Sequence, residues 1–227
     1  MNHSSLPVLS LLETRVLGVL TEKQHTVPDT YPLTLNTLVA GCNQKSSRSP
    51  IINVSQTEVQ LVVDNLKYLS LVIEISGGRA TRFSHNIERV LQIPMQSAVL
   101  VAILMLRGPQ TAGELRINSE RLHKFADISS VESFLVELAE RAAGSLVMEL
   151  PRQPGTRENR WVHLLSGAPD IQEQQSAASA VDYSEEVMSA SETADLKANV
   201  VRLEVEVKRL SKIVNKLCME LDISADD

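Results

Sequence analysis

The 227-residue sequence predicts a mainly α (α+β) chain, on three observations. Amphipathic stretches with helical spacing dominate it. They fall into two successive sets of three, and each set closes on two short β-type runs around a turn. A heptad seam follows near the C-terminus. Helix–helix–helix–hairpin is the order of a winged helix-turn-helix. The expected architecture is therefore tandem winged helix-turn-helix domains with a C-terminal coiled coil. The expected boundaries are 1–92 and 93–167 for the two winged-helix domains, 168–193 for a disordered acidic linker and 194–223 for the coiled coil.

In the first copy, Leu9–Thr21 carries apolar residues at 9, 12, 16, 17, 19 and 20, which predicts an amphipathic helix. Pro32 reads as a helix start, with Leu33–Cys42 as the second helix. Ser55-Gln56-Thr57-Glu58 is a capping box, followed by Val59, Val63 and Leu66 on one face. Val72–Ile75 and Thr81–His85 flank Ser76-Gly77-Gly78-Arg79 as a hairpin. The second copy repeats the order. Gln96–Leu106 is an apolar helix stopped by Arg107-Gly108-Pro109, and Thr111–Leu122 is the next. Ser129-Ser130-Val131-Glu132 reads as a capping box leading to Val131, Leu135 and Leu138. Leu146–Leu150 and Asn159–Leu164 form the second hairpin. Arg82-Phe83-Ser84-His85 matches Arg160-Trp161-Val162-His163. The connection 86–94 is short, so the two copies are expected to touch.

Leu196, Leu203, Leu210 and Leu217 recur every seven residues, with Val200, Val207, Val214 and Leu221 between them. β-Branched residues at a and Leu at d favour a parallel two-stranded coil, so a homodimer is expected. An amphipathic helix folded back on its own body is the alternative. The e/g positions carry few complementary charges, and apolar Ile213 and Cys218 widen the seam. No Lys or Arg occurs between Arg160 and Lys197, which removes a basic-zipper reading. The 26 residues 168–193 are acidic, small and polar, and as a flexible coil they span roughly 28 Å.

The formal charge of −6 sits in the tail. Residues 1–92 carry 8 cations against 7 anions, residues 93–167 carry 8 against 8, and residues 168–227 carry 6 against 13. A neutral body leaves only local patches for nucleic acid. Cys42 and Cys218 have no CxxC spacing and point to a reducing compartment. Met1–Ser10 has no signal-peptide pattern. The longest apolar run, Ala98–Leu106, has nine residues, so no membrane span is expected and the location is expected to be cytoplasmic.

Three runs carry a family resemblance: Glu22-Lys23-Gln24, Tyr31-Pro32-Leu33 and Cys42-Asn43-Gln44-Lys45-Ser46-Ser47-Arg48-Ser49-Pro50. With Leu106–Arg116 and Pro154–Arg160 they resemble the YceH-like family of bacterial proteins of unknown function, over roughly residues 9–167. The resemblance implies tandem winged helices and no biochemical activity.

The loop Asn43–Pro50 is the leading candidate site. Asn43, Gln44, Lys45, Ser46 and Arg48 supply amides, hydroxyls and cations that could line a phosphate backbone. A solvated loop that caps neighbouring helices is the plainer reading. On the reading helix, Gln56, Thr57, Gln60, Asp64 and Lys67 face outward, and Gln can pair with adenine. Asp64 opposes phosphate. The second reading helix is more acidic, with Glu132, Glu137 and Glu140, and suits packing or protein binding. Arg79 and Arg82 in one wing, and Arg152, Arg157 and Arg160 in the other, suit phosphate or local pairs with Glu149 or Glu158. Phe83 and Trp161 suit core packing better than base stacking. The five histidines are dispersed and Cys42 has no nucleophile signature. Glu22 with Lys23 reads as surface charge. No cofactor, metal or enzymatic activity is expected. The leading expectation is a dimeric DNA-binding or transcription-related protein working through the first copy. The alternative is a non-enzymatic protein-interaction adaptor whose winged helices are packing modules.

Overall fold

A run of ten consecutive buried residues, Ser97–Leu106, lies in the core that the described elements share. The computed structural model describes residues 8–76, 80–152, 155–156 and 158–168. These lie in one compact unit, Met1–Pro169. The heptad residues Leu196, Val200, Leu203, Val207, Leu210, Val214, Leu217 and Leu221 lie outside the described residues, as does nearly all of the linker.

The fold is α+β, with helices and two small antiparallel sheets. Helix α1 (Leu11–Thr26) opens on a complete capping box. The Ser10 hydroxyl accepts from the Glu13 N–H, and the Glu13 carboxylate accepts from the Ser10 N–H. Strand β1 (Leu33–Thr34) leads into α2 (Leu35–Cys42), and α3 (Gln56–Tyr68) follows with the expected Ser55 box. Strands β2 (Val72–Ile75) and β3 (Arg82–His85) form the hairpin, and the sheet order is β1-β3-β2. A short α4 (Ile87–Leu91) bridges to α5 (Met95–Arg107). Helices α6 (Ala112–Ser119) and α7 (Ile128–Ala139) and strands β4 (Val147–Glu149) and β5 (Trp161–His163) complete the second set.

The element order repeats, with corrections to its detail. Pro32 does not open the second helix. Leu33 and Thr34 are extended and pair with Phe83 and Arg82, and the Thr34 hydroxyl caps α2 two residues later. The second set keeps a trace of this third strand. Gln110 exchanges both backbone hydrogen bonds with Trp161, immediately before the Thr111 cap of α6. Helix α6 ends at Ser119 and not at Leu122. Helix α7 is capped by Asp127, whose carboxylate accepts from both the Ser130 N–H and its hydroxyl, so Ser129 does not start a box. The connection 86–94 holds the unforeseen helix α4.

Helices α1 and α5 make the most extensive contact between the two sets. Val16, Leu17, Val19 and Leu20 are fully buried there with Val99 through Leu106. Gly18 permits the approach. A β-carbon at Gly18 would stand 2.8 Å from Leu106 Cγ and 3.3 Å from the Ala102 carbonyl oxygen. Gly41 similarly admits Val19 Cγ1, which would lie 2.6 Å from an added methyl. The ends of the body also meet, since the Leu9 N–H donates to the Leu165 carbonyl at 2.8 Å.

His85 and His163 occupy equivalent places at the ends of β3 and β5. Burial pushes each down to about 4; for His85 the charge of His25 adds to the effect. The His85 Nε2 partner is the amide oxygen of Gln24, so the proton sits on Nε2 and the Nδ1 atom is buried without a partner.

Two expectations follow from this packing. Gly18→Ala drives a methyl into Leu106 and the backbone of α5. It should cost about 1–3 kcal/mol, read as a lowered urea midpoint with unchanged slope. The histidines bear on pH. Both are neutral in the fold and titrate near 6.5 when unfolded. Their contribution is complete above about 6.5 and is lost as pH falls toward 4, on the order of 3 kcal/mol per histidine at the acid end. Urea unfolding between pH 7.5 and 4.5 should show that decline, and His85→Gln should flatten it.

Candidate nucleic-acid interface

The segment Asn43–Pro50 leaves the end of α2 on the way to α3; Asn43, Gln44, Ser47 and Arg48 are held against the fold, while Lys45, Ser46, Ser49 and Pro50 are exposed. Asn43 clamps the far end: its amide donates to the Val54 carbonyl and its oxygen accepts from the Val54 N–H, both at 2.8 Å. Gln44 accepts from Lys23 Nζ at 3.3 Å and donates to Ser46 Oγ at 3.2 Å. Ser47 adopts a left-handed backbone (φ 60°), and its hydroxyl accepts from Arg107 Nη2 on α5 at 2.7 Å. The Ser49 N–H donates to the Leu106 carbonyl at 2.8 Å.

Arg48 is the centre of this arrangement, and its side chain is 0% exposed. Its two terminal nitrogens reach the two Glu22 carboxylate oxygens at 3.1 and 2.6 Å, and Nε donates to the Gly41 carbonyl at 3.2 Å. Burial alone would raise the Glu22 carboxyl, but the hydrogen bonds and charge of Arg48, with Lys23 adding to them, hold it below the ordinary range. Arg15 on α1 is equally buried. It donates to the Cys42 carbonyl at 3.2 Å and to the Pro50 carbonyl at 2.6 Å. The Cys42 thiol beside them is pushed up to about 12 by burial, against the pull of Arg15 and Arg48.

The structure therefore separates the sequence candidates. Lys45 and Ser46 are exposed; Arg48 is interior. Glu22, expected as a surface charge, is the carboxylate that neutralises it. Arg82 is exposed, but its Nη1 donates to the Thr30 and Pro32 carbonyls at 3.0 and 2.7 Å. Arg79 and Arg157 lie outside the described residues. Arg160 pairs with Glu114 at 3.2 Å, not with Glu149 or Glu158. Phe83 and Trp161 pack into the core, as the plainer reading held.

On α3, Gln56 and Gln60 border a polar groove of about 370 Å³ shared with Asn36 of α2 and with Thr81 and Phe83 of the hairpin. Gln60 donates to Asp64 at 3.1 Å. Lys67 is held by Asp64 and by Glu74 of β2. The helix also exposes two large side chains that the sequence reading passed over, Leu61 at 67% and Tyr68 at 86% exposure. They stand seven residues apart on one face. The inward triad Val59, Val63 and Leu66 already implied that face, but attention to polar groups hid it. Arg15 was missed because helical spacing places it among apolar residues and says nothing of a partner 35 positions away. Among the described residues, no group of His, Cys, Asp or Glu could hold a metal ion, and no helix is long and apolar enough to cross a membrane.

Residues 9–156 match the family described as "Protein of unknown function, DUF480". The chain is similar to a UPF0502 protein of Dechloromonas aromatica (strain RCB), 55% identical over 210 residues that cover 92% of this chain and 96% of the relative. It is also similar to a UPF0502 protein of Burkholderia multivorans (strain ATCC 17616 / 249), 56% identical over 222 residues that cover 98% of this chain and 93% of the relative. The segments Glu22–Gln24 and Asn43–Pro50, which carried the resemblance in the sequence, are the two that meet at the Glu22–Arg48 pair, and the chain belongs to this uncharacterised DUF480 family.

Proposed function

We propose that the protein is a non-enzymatic, protein-interaction adaptor whose tandem winged-helix copies act as packing modules, dimerised through the heptad segment 194–223. The exposed face of α3 carries the reading. Where a duplex reader presents cations, this helix sets Leu61, Asp64 and Tyr68 beside its amides, and its one lysine is engaged by two carboxylates. The loop that would support phosphate contact has its arginine turned into the core. The repeated helix–helix–helix–hairpin order, with β1 added to the first hairpin, supports the winged-helix description. Exposed Lys45 and Arg82, with Gln56 and Gln60 at the groove, keep duplex DNA as a second reading.

The two readings separate in a salt titration on mixed-sequence duplex. The adaptor shows no binding at about 50 mM salt, and a single stoichiometric protein survives nuclease treatment in a pull-down from lysate. Duplex binding through Lys45 and Arg82 would show a slope of log affinity against log salt of about −1.8. A slope of about −3.6, that of four phosphate contacts, would require cations beyond Lys45 and Arg82 and would overturn the adaptor. Arg48→Ala belongs in the same experiment. It leaves the Glu22 carboxylate, in a nearly buried site, with Lys23 as its remaining ion-pair partner at 3.2 Å and should cost up to about 3–5 kcal/mol of stability, a loss that a surface phosphate contact would not produce.

Self-association is tested by light scattering. The full-length chain should run as a dimer at micromolar concentration, and a chain lacking residues 194–227 should run as a folded monomer. A full-length monomer would leave the fold-back helix as the account of the seam.

A further inference from the structure

The arginines of the described body divide by what they hold. Arg15, Arg48, Arg107, Arg141 and Arg160 each donate into the fold, to carbonyls, a carboxylate or a hydroxyl. A group of cations around α6 and the connection 120–127 does not. Arg121 and Lys124 are exposed and make no hydrogen bond among the described residues. Arg116 has one long acceptor, the Ala126 carbonyl at 3.4 Å, and its Nε has none. No carboxylate among the described residues lies within 4 Å of these three side chains. A guanidinium offers five donors, so the outward donors of Arg121, Lys124 and the terminal nitrogens of Arg116 are largely unused, while the Arg116 Nε is buried.

The same surface is apolar at its middle. Ile117 is 70% exposed and lies one turn along α6 from Gly113. Ile128, at the start of α7, brings its Cδ1 to 3.9 Å from the position a β-carbon on Gly113 would take. Ile128 is itself 42% exposed. Two isoleucines thus border one stretch of α6, with Arg116 adjacent to Ile117 in the chain and Arg121 one turn further on. Of the nearby carboxylates, Asp127 is occupied by the Ser130 N–H and hydroxyl, Glu114 by Arg160, and Glu158 brings Oε2 to 3.8 Å from the same β-carbon position on Gly113, with Glu120 exposed at the rim.

We infer that this patch docks an acidic protein segment that carries apolar side chains, an interaction that rests on the adaptor reading and names its partner's chemistry. Carboxylates of the segment take the free donors of Arg116, Arg121 and Lys124, where charge-assisted bonds are strongest and two-pronged at arginine. Its apolar side chains cover Ile117 and Ile128. A nucleic-acid backbone fits less well. Its phosphates and sugars offer no apolar side chain to cover the isoleucines.

The test is fluorescence anisotropy with the full-length protein at about 50 mM salt. The probe is a fluorescein-labelled peptide of alternating glutamate pairs and leucines. Two analogues replace its glutamates by glutamine or its leucines by serine. The parent peptide should bind about tenfold or more tightly than either analogue. Arg121→Glu with Lys124→Glu should weaken it by a similar factor, and so should Ile117→Ser. Arg121→Gln with Lys124→Gln serves if the reversal disturbs the melting temperature. No binding of the parent peptide, equal binding of the glutamine analogue, or indifference to both double variants overturns the inference. So does a mixed duplex that displaces the peptide and loses its own binding with Arg121→Glu and Lys124→Glu, since the patch would then be a phosphate surface. A nuclease-resistant lysate partner that ignores both double variants overturns the patch and leaves the adaptor standing. Peptide binding as expected, with no such partner in lysate, supports the patch and sinks the adaptor.

Discussion

A charge can be buried only if its neighbours replace the water it loses, and two guanidinium groups impose that condition on the first half of this molecule. Arg48 needs both oxygens of Glu22, which places the inter-helix segment against the last third of α1. Arg15 needs the carbonyls of Cys42 and Pro50, which fixes both the end of α2 and the approach to α3. Ser47 and Ser49 then reach α5 through Arg107 and Leu106. One eight-residue segment thereby ties α1 to the end of α2, the approach to α3 and the end of α5. Loss of either partner of the ion pair leaves a stranded charge, so this segment is constrained by desolvation far more than by turn geometry.

How much of this could be read from residues alone depended on range. Helices α1, α3 and α5 are legible because apolar periodicity is a local signal, and Ser55 with Glu58 marks its helix start within four residues. The hairpins are legible for the same reason. Strand β1 is not, because two residues are too few to show alternation, and Pro32 just before them mimics a helix start. The cap of α7 was misplaced because Asp127 and Ser129 both offer oxygens, and the carboxylate, reaching two Ser130 donors, prevails. The candidate site was legible as a segment and illegible as a role. Residue types in Asn43–Pro50 suit phosphate and suit a buried polar network equally, and only the partner 26 positions away decides between them.

The two copies have diverged in where their polar groups face. In the first, the connection between its second and third helices is locked to α1 and α5, while the helix beyond it turns Leu61 and Tyr68 to solvent. In the second, the corresponding connection keeps exposed cations and the helix beyond it carries glutamates. The two sets thus share an element order and differ in whether the connection before the third helix is held against the fold or left to solvent. The shared element is the histidine that ends each hairpin, neutral and buried in both.

The backbone bond between Leu9 and Leu165 closes the body where its described path begins and ends. The two ends of the described path therefore lie side by side, within one backbone hydrogen bond of each other. For the same reason a short bridge across Leu9 and Leu165, with new ends opened in the exposed turn near Glu120, would give a circularly permuted chain with the same packing.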